Sequence, residues 1–256
     1  MPRYFIEVAY KGTNYSGFQI QQNANSIQAE IEKALRIFFK QRFNLTGSSR
    51  TDAGVHALQN FFHFDVDESL IASQKQGDLQ GAIYNLNAIL PWDISINNLL
   101  PVTENAHCRY DAMEREYTYY VYRKKAPFLW DRAYYFPYRL NLDILTTVAD
   151  IVPRHRDFTS FSKRSTQVDN FLCTINKSTW LEENDTLVYT VCGNRFLRGM
   201  VRGLVGTMLK AGREIINEEQ FESVFKALDC TRADFSAPAR GLFLKHIKYP
   251  STVFLL

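Results

Sequence analysis

A short polar stretch carries the residues best suited to catalysis, residues 47–56 with the sequence GSSRTDAGVH. Asp52 is its only carboxylate, and Arg50 precedes it by two positions. An ionised carboxylate serves as a nucleophile or a general base, and a neighbouring arginine binds phosphate or stabilises the charged carboxylate. Aspartates in loops more often cap a turn, so an Asp52 that caps a turn and pairs with Arg50 is the alternative. The local pattern leaves both interpretations open.

Two further side chains are candidates for a substrate site. Tyr117 lies in a β-prone run whose alternate tyrosines share one face of a strand. Such a stripe is usually packed in a core, whereas an accessible ring would offer a stacking surface for an extruded base. Arg202 follows Arg198 by four positions in a predicted helix, so both are expected on one helix face. A solvated basic stripe is the alternative, but glycines at 199, 203 and 206 favour the close approach of a backbone or a ligand.

Other kinds of site are disfavoured by spacing. His56 and His63 are seven residues apart on a predicted strand and therefore point to opposite faces. The sequence has no His-Glu-x-x-His motif, no paired cysteines, no Gly-Lys-Ser/Thr phosphate loop and no Gly-x-Ser-x-Gly elbow. We therefore predict no metal site. A serine hydrolase that uses Ser48 or Ser49 with His56 is disfavoured but stays open.

Hydrophobic periodicity predicts the elements that position these residues. The first part reads as a strand at Arg3–Tyr10, a helix that Asn25 begins, strands at 43–46 and 55–66, a helix at 79–90 that Asp78 caps, and a strand at 92–101. The second part reads as a strand at 117–122, a helix at 142–152, a hairpin of 174–181 and 186–192 that turns at 183–185, helices at 196–211 and 221–228, and a strand at 242–249.

The order β-α-β-β-α-β is that of a ferredoxin-like unit, and it appears twice. We therefore predict an α+β fold with two ferredoxin-like halves, residues 1–105 and 106–256. Their sheets would be joined around a central active-site cleft. Residues 125–140 are aromatic and irregular, and we interpret them as an insertion.

Composition is that of an ordinary globular protein, with 46% hydrophobic and 22% charged residues among 256. No apolar run is long enough to span a bilayer, and four scattered cysteines favour reduced thiols in the cytoplasm. The net charge of +3 does not establish a nucleic-acid partner. Local basic clusters beside a 14% aromatic content favour a polyanion modestly.

Seven motifs occur in order along the chain. They are YKGTNYSGFQ at 10–19, RTDAGVHA at 50–57, LNAILP at 86–91, REYTY at 115–119, DFTSF at 157–161, MVR at 200–202 and APARGL at 237–242. Together they resemble the TruA family of tRNA pseudouridine synthases, whose signature is the motif at 50–57. One departure is Phe18, where many members carry tryptophan, a change expected to preserve packing.

This resemblance implies the pseudouridine synthase fold and the isomerisation of uridine to pseudouridine at positions 38, 39 and 40 of the tRNA anticodon stem-loop. It implies that Asp52 is catalytic, that Tyr117 packs against the flipped base, and that Arg50 and Arg202 are active-site arginines. It also implies a homodimer with no cofactor and no metal. The alternatives are a non-catalytic RNA-binding protein with two ferredoxin-like modules and a metal-dependent RNA hydrolase.

Overall fold

The computed structural model describes residues 1–67, 79–164, 168 and 170–255. The chain forms two compact units, one made of Met1–Met113 with Leu244–Leu256 and the other of Glu114–Phe243. Each unit combines strands with helices, so the predicted α+β fold class is confirmed. The division into halves at residues 1–105 and 106–256, and the joining of their sheets around a cleft, stay predictions.

In the first unit, the first strand of the chain lies in a central position of the sheet. Its strands are β1 (Arg3–Tyr10), β2 (Thr46–Gly47), β3 (His56–Asp65) and β4 (Ile94–Val102), and β9 (Leu242–Lys248) lies beside β3. β1 pairs antiparallel with β3 and with β4, so that Ile6 faces Phe62 on one side and Leu99 on the other. The unit also contains helices α1 (Ile27–Phe39) and α2 (Leu79–Ile89), and α2 contacts α1 and β4.

Helix α1 begins one residue later than predicted. Ser26 is its N-cap, and the Ser26 hydroxyl oxygen accepts the N–H of Ala29 over 3.3 Å. Asn25 was the predicted cap, but its side-chain amide donates instead to the carbonyl of Asn14 over 3.3 Å. The Asn25 prediction was therefore wrong, because a loop contact uses that side chain. The predicted cap of α2, Asp78, lies outside the described residues.

The strands of the second unit pair mainly antiparallel. They are β5 (Glu114–Tyr122), β6 (Tyr134–Tyr135), β7 (Ile175–Glu183) and β8 (Thr186–Gly193). β8 pairs antiparallel with β5 and β7, and β6, which lies in the predicted insertion, pairs parallel with β5. Asn184 and Asp185 adopt φ of 48° and 62°, the left-handed conformation that closes the predicted hairpin. The helices are α3 (Leu142–Ile151), α4 (Met200–Gly212) and α5 (Glu218–Ala227).

Helix α4 begins four residues later than predicted. Gly199 has a φ of 74° at the N-cap position, so residues 196–199 are not helical. Arg198 therefore precedes the helix, and the prediction that it shares a helix face with Arg202 was wrong. The predicted close approach is confirmed, because a Cβ on Gly206 would lie 2.2 Å from the carbonyl oxygen of Asp234.

Aromatic rings make up much of the core of the first unit. Phe18 is buried and stacks on Phe62 at 4.5 Å between ring centroids. Tyr249 contacts Phe5 and Phe61 edge-on at 5.3 and 5.2 Å, so the closing segment is anchored in the same core. Among the described residues, no helix has the length and apolar character needed to cross a membrane.

Candidate active site

Asp52 lies in the loop between β2 and β3 and is half-buried. The N–H of Val55 donates to the Asp52 carbonyl over 3.1 Å, which closes a tight turn. Gly54, inside that turn, has a φ of 77°, a conformation that favours glycine. Arg50 is exposed on the same loop. The strands predicted at 43–46 and 55–66 place Asp52 in a loop just before a strand, and this position is confirmed, since β3 begins at His56.

A buried hydrogen-bond chain fixes the part of the loop that precedes Asp52. The Asn60 amide on β3 donates to the Ser49 carbonyl over 2.9 Å and to the Tyr10 hydroxyl over 3.2 Å. The Tyr10 hydroxyl in turn lies 2.8 Å from the Thr51 hydroxyl. Either hydroxyl can be the donor in this contact. Side chains of two neighbouring strands therefore set the backbone position just before Asp52.

The loop formed by residues 11–19 holds the rest of the Asp52 loop through its backbone. The N–H of Phe18 donates to the Thr51 carbonyl over 3.1 Å, and the N–H of Gly54 donates to the Tyr15 carbonyl over 3.3 Å. Gly17 has a φ of 123°, and a Cβ there would lie 3.2 Å from the Thr51 carbonyl oxygen. These contacts give the YKGTNYSGFQ motif a physical role that spacing alone did not indicate.

His56 is buried and serves this scaffold. Its Nδ1 accepts the N–H of Gly12 over 3.1 Å, which places the ring proton of the neutral imidazole on Nε2. Ser48 is also buried, and its hydroxyl oxygen accepts from the Tyr249 hydroxyl over 3.0 Å. His56 and Ser48 therefore both have structural partners, and Ser49, the other serine considered, is buried as well.

A second carboxylate near the motif anchors the outer loop. Asp93 accepts the Tyr15 hydroxyl over 2.7 Å and the Asn14 amide over 3.1 Å. Burial, followed by the hydrogen bond to Asp93, raises the pKa of the Tyr15 hydroxyl, so this phenol stays a donor. Asp93 is thereby assigned to positioning Tyr15, whose carbonyl holds Gly54.

Tyr117 belongs to the second unit, on β5 opposite Val191 of β8. Its ring is buried and contacts the Phe196 ring edge-on, with 4.9 Å between the ring centroids. The expectation that alternate tyrosines pack in a core is confirmed for both Tyr117 and Tyr119, which are buried. Contact of the Tyr117 ring with an extruded base stays a prediction. Asp52 and Arg50 lie in the first unit and Tyr117 and Arg202 in the second; that all four form one site stays a prediction.

Arg202 and Tyr119 hold the same loop of the second unit. The Nε of Arg202 donates to the Ala237 carbonyl over 2.6 Å, and the Tyr119 hydroxyl donates to the Pro238 carbonyl over 2.7 Å. Burial raises the pKa of Tyr119, so the phenol keeps its proton for this bond. The APARGL motif is therefore positioned by Arg202 of α4 and Tyr119 of β5, an arrangement that spacing did not reveal.

One cluster of metal-ligating residue types occurs in the first unit, although the sequence predicted no metal site. The potential ligand atoms of His63, His107 and Cys108 lie within 4.8 Å of one another. The Nδ1 atoms of both histidines accept backbone N–H groups, and the Cys108 thiol donates to the Thr46 carbonyl over 3.1 Å. Burial, with the charge of Arg3 second, lowers the pKa of His63 to about 4. Hydrogen bonding therefore accounts for the cluster, and the absence of a metal stays a prediction.

Known proteins resemble this chain over almost its whole length. A family model described as tRNA pseudouridine synthase matches residues 6–111 and 155–250. A tRNA pseudouridine synthase A from Parabacteroides distasonis is 41% identical over 254 residues, covering 99% of this chain and 98% of that protein. Proteins of the same name are 37% identical in Porphyromonas gingivalis, with 100% of both chains covered, and 36% identical in Staphylococcus aureus, with 96% and 91% covered. The family model includes Asp52 and Arg202, and the full-length similarities also span Tyr117.

Proposed function

The chain belongs to the tRNA pseudouridine synthase family, and from that premise we propose that it isomerises uridine to pseudouridine in tRNA with Asp52 as the catalytic carboxylate. The observation that carries this assignment is the position of Asp52. It is a half-buried carboxylate on a loop whose backbone is fixed on both sides by β1, β3 and residues 11–19. Such preorganisation is what a catalytic group requires.

The reaction exchanges one bond to the sugar for another. The bond between N1 of uracil and C1′ of ribose breaks, the base rotates, and C5 joins C1′. The proton on C5 is then lost, and N1 gains a proton. Atoms and electrons therefore balance without an oxidant, a reductant or a carried group, which agrees with the expectation of no cofactor.

Asp52 has two chemical routes. As a nucleophile it would bond to the sugar or to the ring, and as a base it would remove the proton from C2′ to give a glycal. We favour the glycal route, as the family resemblance suggests. In both routes the target base must leave the stack to rotate, which requires contacts to the extruded base and to its phosphates.

We assign those contacts to Tyr117, Arg50 and Arg202. Tyr117 would pack against the flipped base, and the two arginines would assist flipping and stabilise the charged form of Asp52. The proposed substrate positions are 38, 39 and 40 of the anticodon stem-loop, and the proposed assembly is a cytoplasmic homodimer. Arg202 would also contribute to the site indirectly, because its Nε donates to the Ala237 carbonyl and so positions that loop.

The test is tritium release from tRNA labelled at C5 of uridine, because the proton on C5 leaves only when the new bond forms. We expect the wild type to release tritium and Asp52→Asn to lose at least about 1,000-fold in kcat, the scale of removing an essential general base or nucleophile. Circular dichroism and tRNA binding of the variant should match the wild type. A fully active Asp52→Asn would refute the assignment of the catalytic residue.

The alternative functions give different outcomes in the same experiment. A non-catalytic RNA-binding protein would bind tRNA and release no tritium. A metal-dependent hydrolase would yield cleaved RNA and lose activity with a chelator. We expect intact RNA that contains pseudouridine and an unchanged rate in the presence of EDTA.

A further inference from the structure

A cavity of about 230 Å³ opens beside the Asp52 loop, within the first unit. Arg50 lines it on one side, and the segment His107–Asp111 supplies His107, Arg109 and Tyr110 on another. This volume is below the roughly 300–1,000 Å³ of pockets that enclose a free drug-sized ligand. A cavity of this size is suited to one unit of a polymer whose other units bind elsewhere on the protein.

The charge of the cavity is suited to an anion. Arg50 and Arg109 both line it and both are exposed, whereas no aspartate or glutamate is among its described lining residues. Guanidinium groups bind phosphate oxygens through paired N–H donors. The cavity therefore offers the complement of a sugar–phosphate backbone.

Tyr110 supplies a platform for a base. Its side chain is 75% exposed and lines the cavity, so the ring is accessible to a base that enters there. The ring lies 4.2 Å from the His107 ring between centroids, and the Arg109 guanidinium lies 5.8 Å from its centroid. An exposed ring beside arginines is the arrangement on which proteins stack unpaired bases.

The segment that presents these side chains is fixed before any ligand binds. The N–H groups of Arg109 and Tyr110 both donate to Nδ1 of His107, over 3.1 and 3.3 Å. The Asp111 carboxylate accepts the N–H of His107 over 2.8 Å, and the Asp111 N–H donates to the His107 carbonyl over 3.0 Å. Ordering this turn on binding therefore costs little conformational entropy.

We propose that this cavity binds a nucleotide of the tRNA strand next to the isomerised uridine, with its base stacked on Tyr110 and its phosphate held by Arg50 and Arg109. The proposal rests on the proposed function, since Arg50 is two residues from Asp52. It adds Arg109 and Tyr110 to the residues that bind the substrate and assigns His107 to positioning them.

The first experiment measures kcat and KM for tritium release with Tyr110→Ala and Tyr110→Phe. We expect Tyr110→Ala to raise KM at least about 5-fold, the lower end of what stacking one base contributes, with kcat within about twofold of the wild type. Tyr110→Phe keeps the ring and should behave as the wild type. The matched control is Tyr84→Ala, which removes another tyrosine of the same unit that is 76% exposed.

The second experiment substitutes an abasic site, one nucleotide at a time, in the anticodon stem-loop and measures Kd. At one nucleotide adjoining the target, the abasic site should weaken binding by the wild type and not weaken binding by Tyr110→Ala any further. Arg109→Gln should lower the slope of log Kd against log salt by about 1 relative to Arg42→Gln, a change of another exposed arginine.

The subsite is refuted if Tyr110→Ala matches Tyr84→Ala in both KM and Kd, if Tyr110→Phe is as impaired as Tyr110→Ala, or if the abasic effects are additive at every nucleotide. Failure of the proposed function is a separate result. In that case the wild type releases no tritium, and the Kd measurements still decide whether a nucleotide stacks on Tyr110.

Discussion

A Cβ atom on Gly12 would lie 2.0 Å from the carbonyl oxygen of Val55, three residues after Asp52. The N–H of Gly12 also donates to His56, so this glycine brings residues 11–19 against the loop that carries Asp52. Contact between two backbones at this distance leaves no room for any side chain. Gly12 thereby couples the first strand of the chain to the proposed catalytic loop.

Gly12→Ala should therefore displace the Asp52 loop. We expect a loss of about 2–4 kcal/mol in the free energy of unfolding, because the clash is with backbone and not with a flexible side chain. The kcat for tritium release should fall by about 100-fold, the effect of moving a catalytic group by about 1 Å. Urea denaturation and the tritium assay measure the two quantities. Thr13→Ala, at the next and exposed position, is the control and should change neither.

Tyr10→Phe tests the hydrogen-bond chain on the other side of Asp52. The variant leaves the Thr51 hydroxyl and the Asn60 amide without their shared partner, which should cost about 1–2 kcal/mol of stability. A double-mutant cycle with Thr51→Val should show non-additive effects, since both changes remove the same hydrogen bond between Tyr10 and Thr51. Tyr84→Phe, on the surface of α2, is the control. Additive losses would show that the 2.8 Å contact between Tyr10 and Thr51 does not stabilise the loop.

A comparison of variants at Arg202 and Tyr119 distinguishes a role in substrate binding from a role in holding the APARGL loop. Both donate to that loop, at Ala237 and Pro238, but only Arg202 carries a charge. We expect Tyr119→Phe to lower kcat by about 10-fold or less and Arg202→Gln to lower it at least about 10-fold further, because the charge also acts on the substrate. Equal losses in the two variants would assign Arg202 to the loop alone.

His63 should make the protein less stable in mild acid. Burial lowers its pKa from the ordinary 6.5 to about 4, and the charges of Arg3 and His107 act in the same direction, opposed by Asp65 and Asp111. The unfolded chain therefore binds more protons between these values, and stability falls as the pH drops from about 6.5 towards 4. We expect His63→Asn to reduce the loss of unfolding free energy between about pH 7 and pH 5 by about 1 kcal/mol. His107 and His155, whose pKa values burial also lowers, sustain the remaining loss. An unchanged pH dependence in urea denaturation would contradict the assignment to His63.

We further propose that exposed basic residues such as Arg198 contribute to binding tRNA. Arg198 is exposed and precedes α4, where Gly199 ends the preceding loop. Arg198→Ala should weaken tRNA binding and lower the slope of log Kd against log salt by about 1, the effect of one lost phosphate contact. Arg36→Ala, an exposed arginine of α1, is the control. Identical slopes for the two variants would remove Arg198 from the binding surface.

Local periodicity predicted most of the elements, because burial of one face sets the spacing of apolar residues. It failed at helix starts, where single contacts decide. Asn25 was diverted from capping by the Asn14 carbonyl, and Gly199 took a left-handed conformation that delays α4. Neither contact is visible in the local sequence.

The candidate site was predictable only in part. Residue type and motif identified Asp52, but the residues that hold its loop are distant in sequence, as Tyr10 and Asn60 are. Their roles depend on strand pairing, which brings β1 beside β3. The turn at His107–Asp111 was not predicted as part of the site for the same reason. Its residues and Arg50 are distant in sequence, and only the fold brings them to one cavity.

The C-terminal segment Leu244–Leu256 belongs to the unit that begins the chain. Tyr249 donates to the hydroxyl of Ser48 and to the carbonyl of Cys108, so it touches the base of the Asp52 loop. A ribosome therefore makes every residue of the second unit before the first can be completed. Nascent chains should consequently remain inactive until the segment Leu244–Leu256 has been synthesised and has joined the first unit.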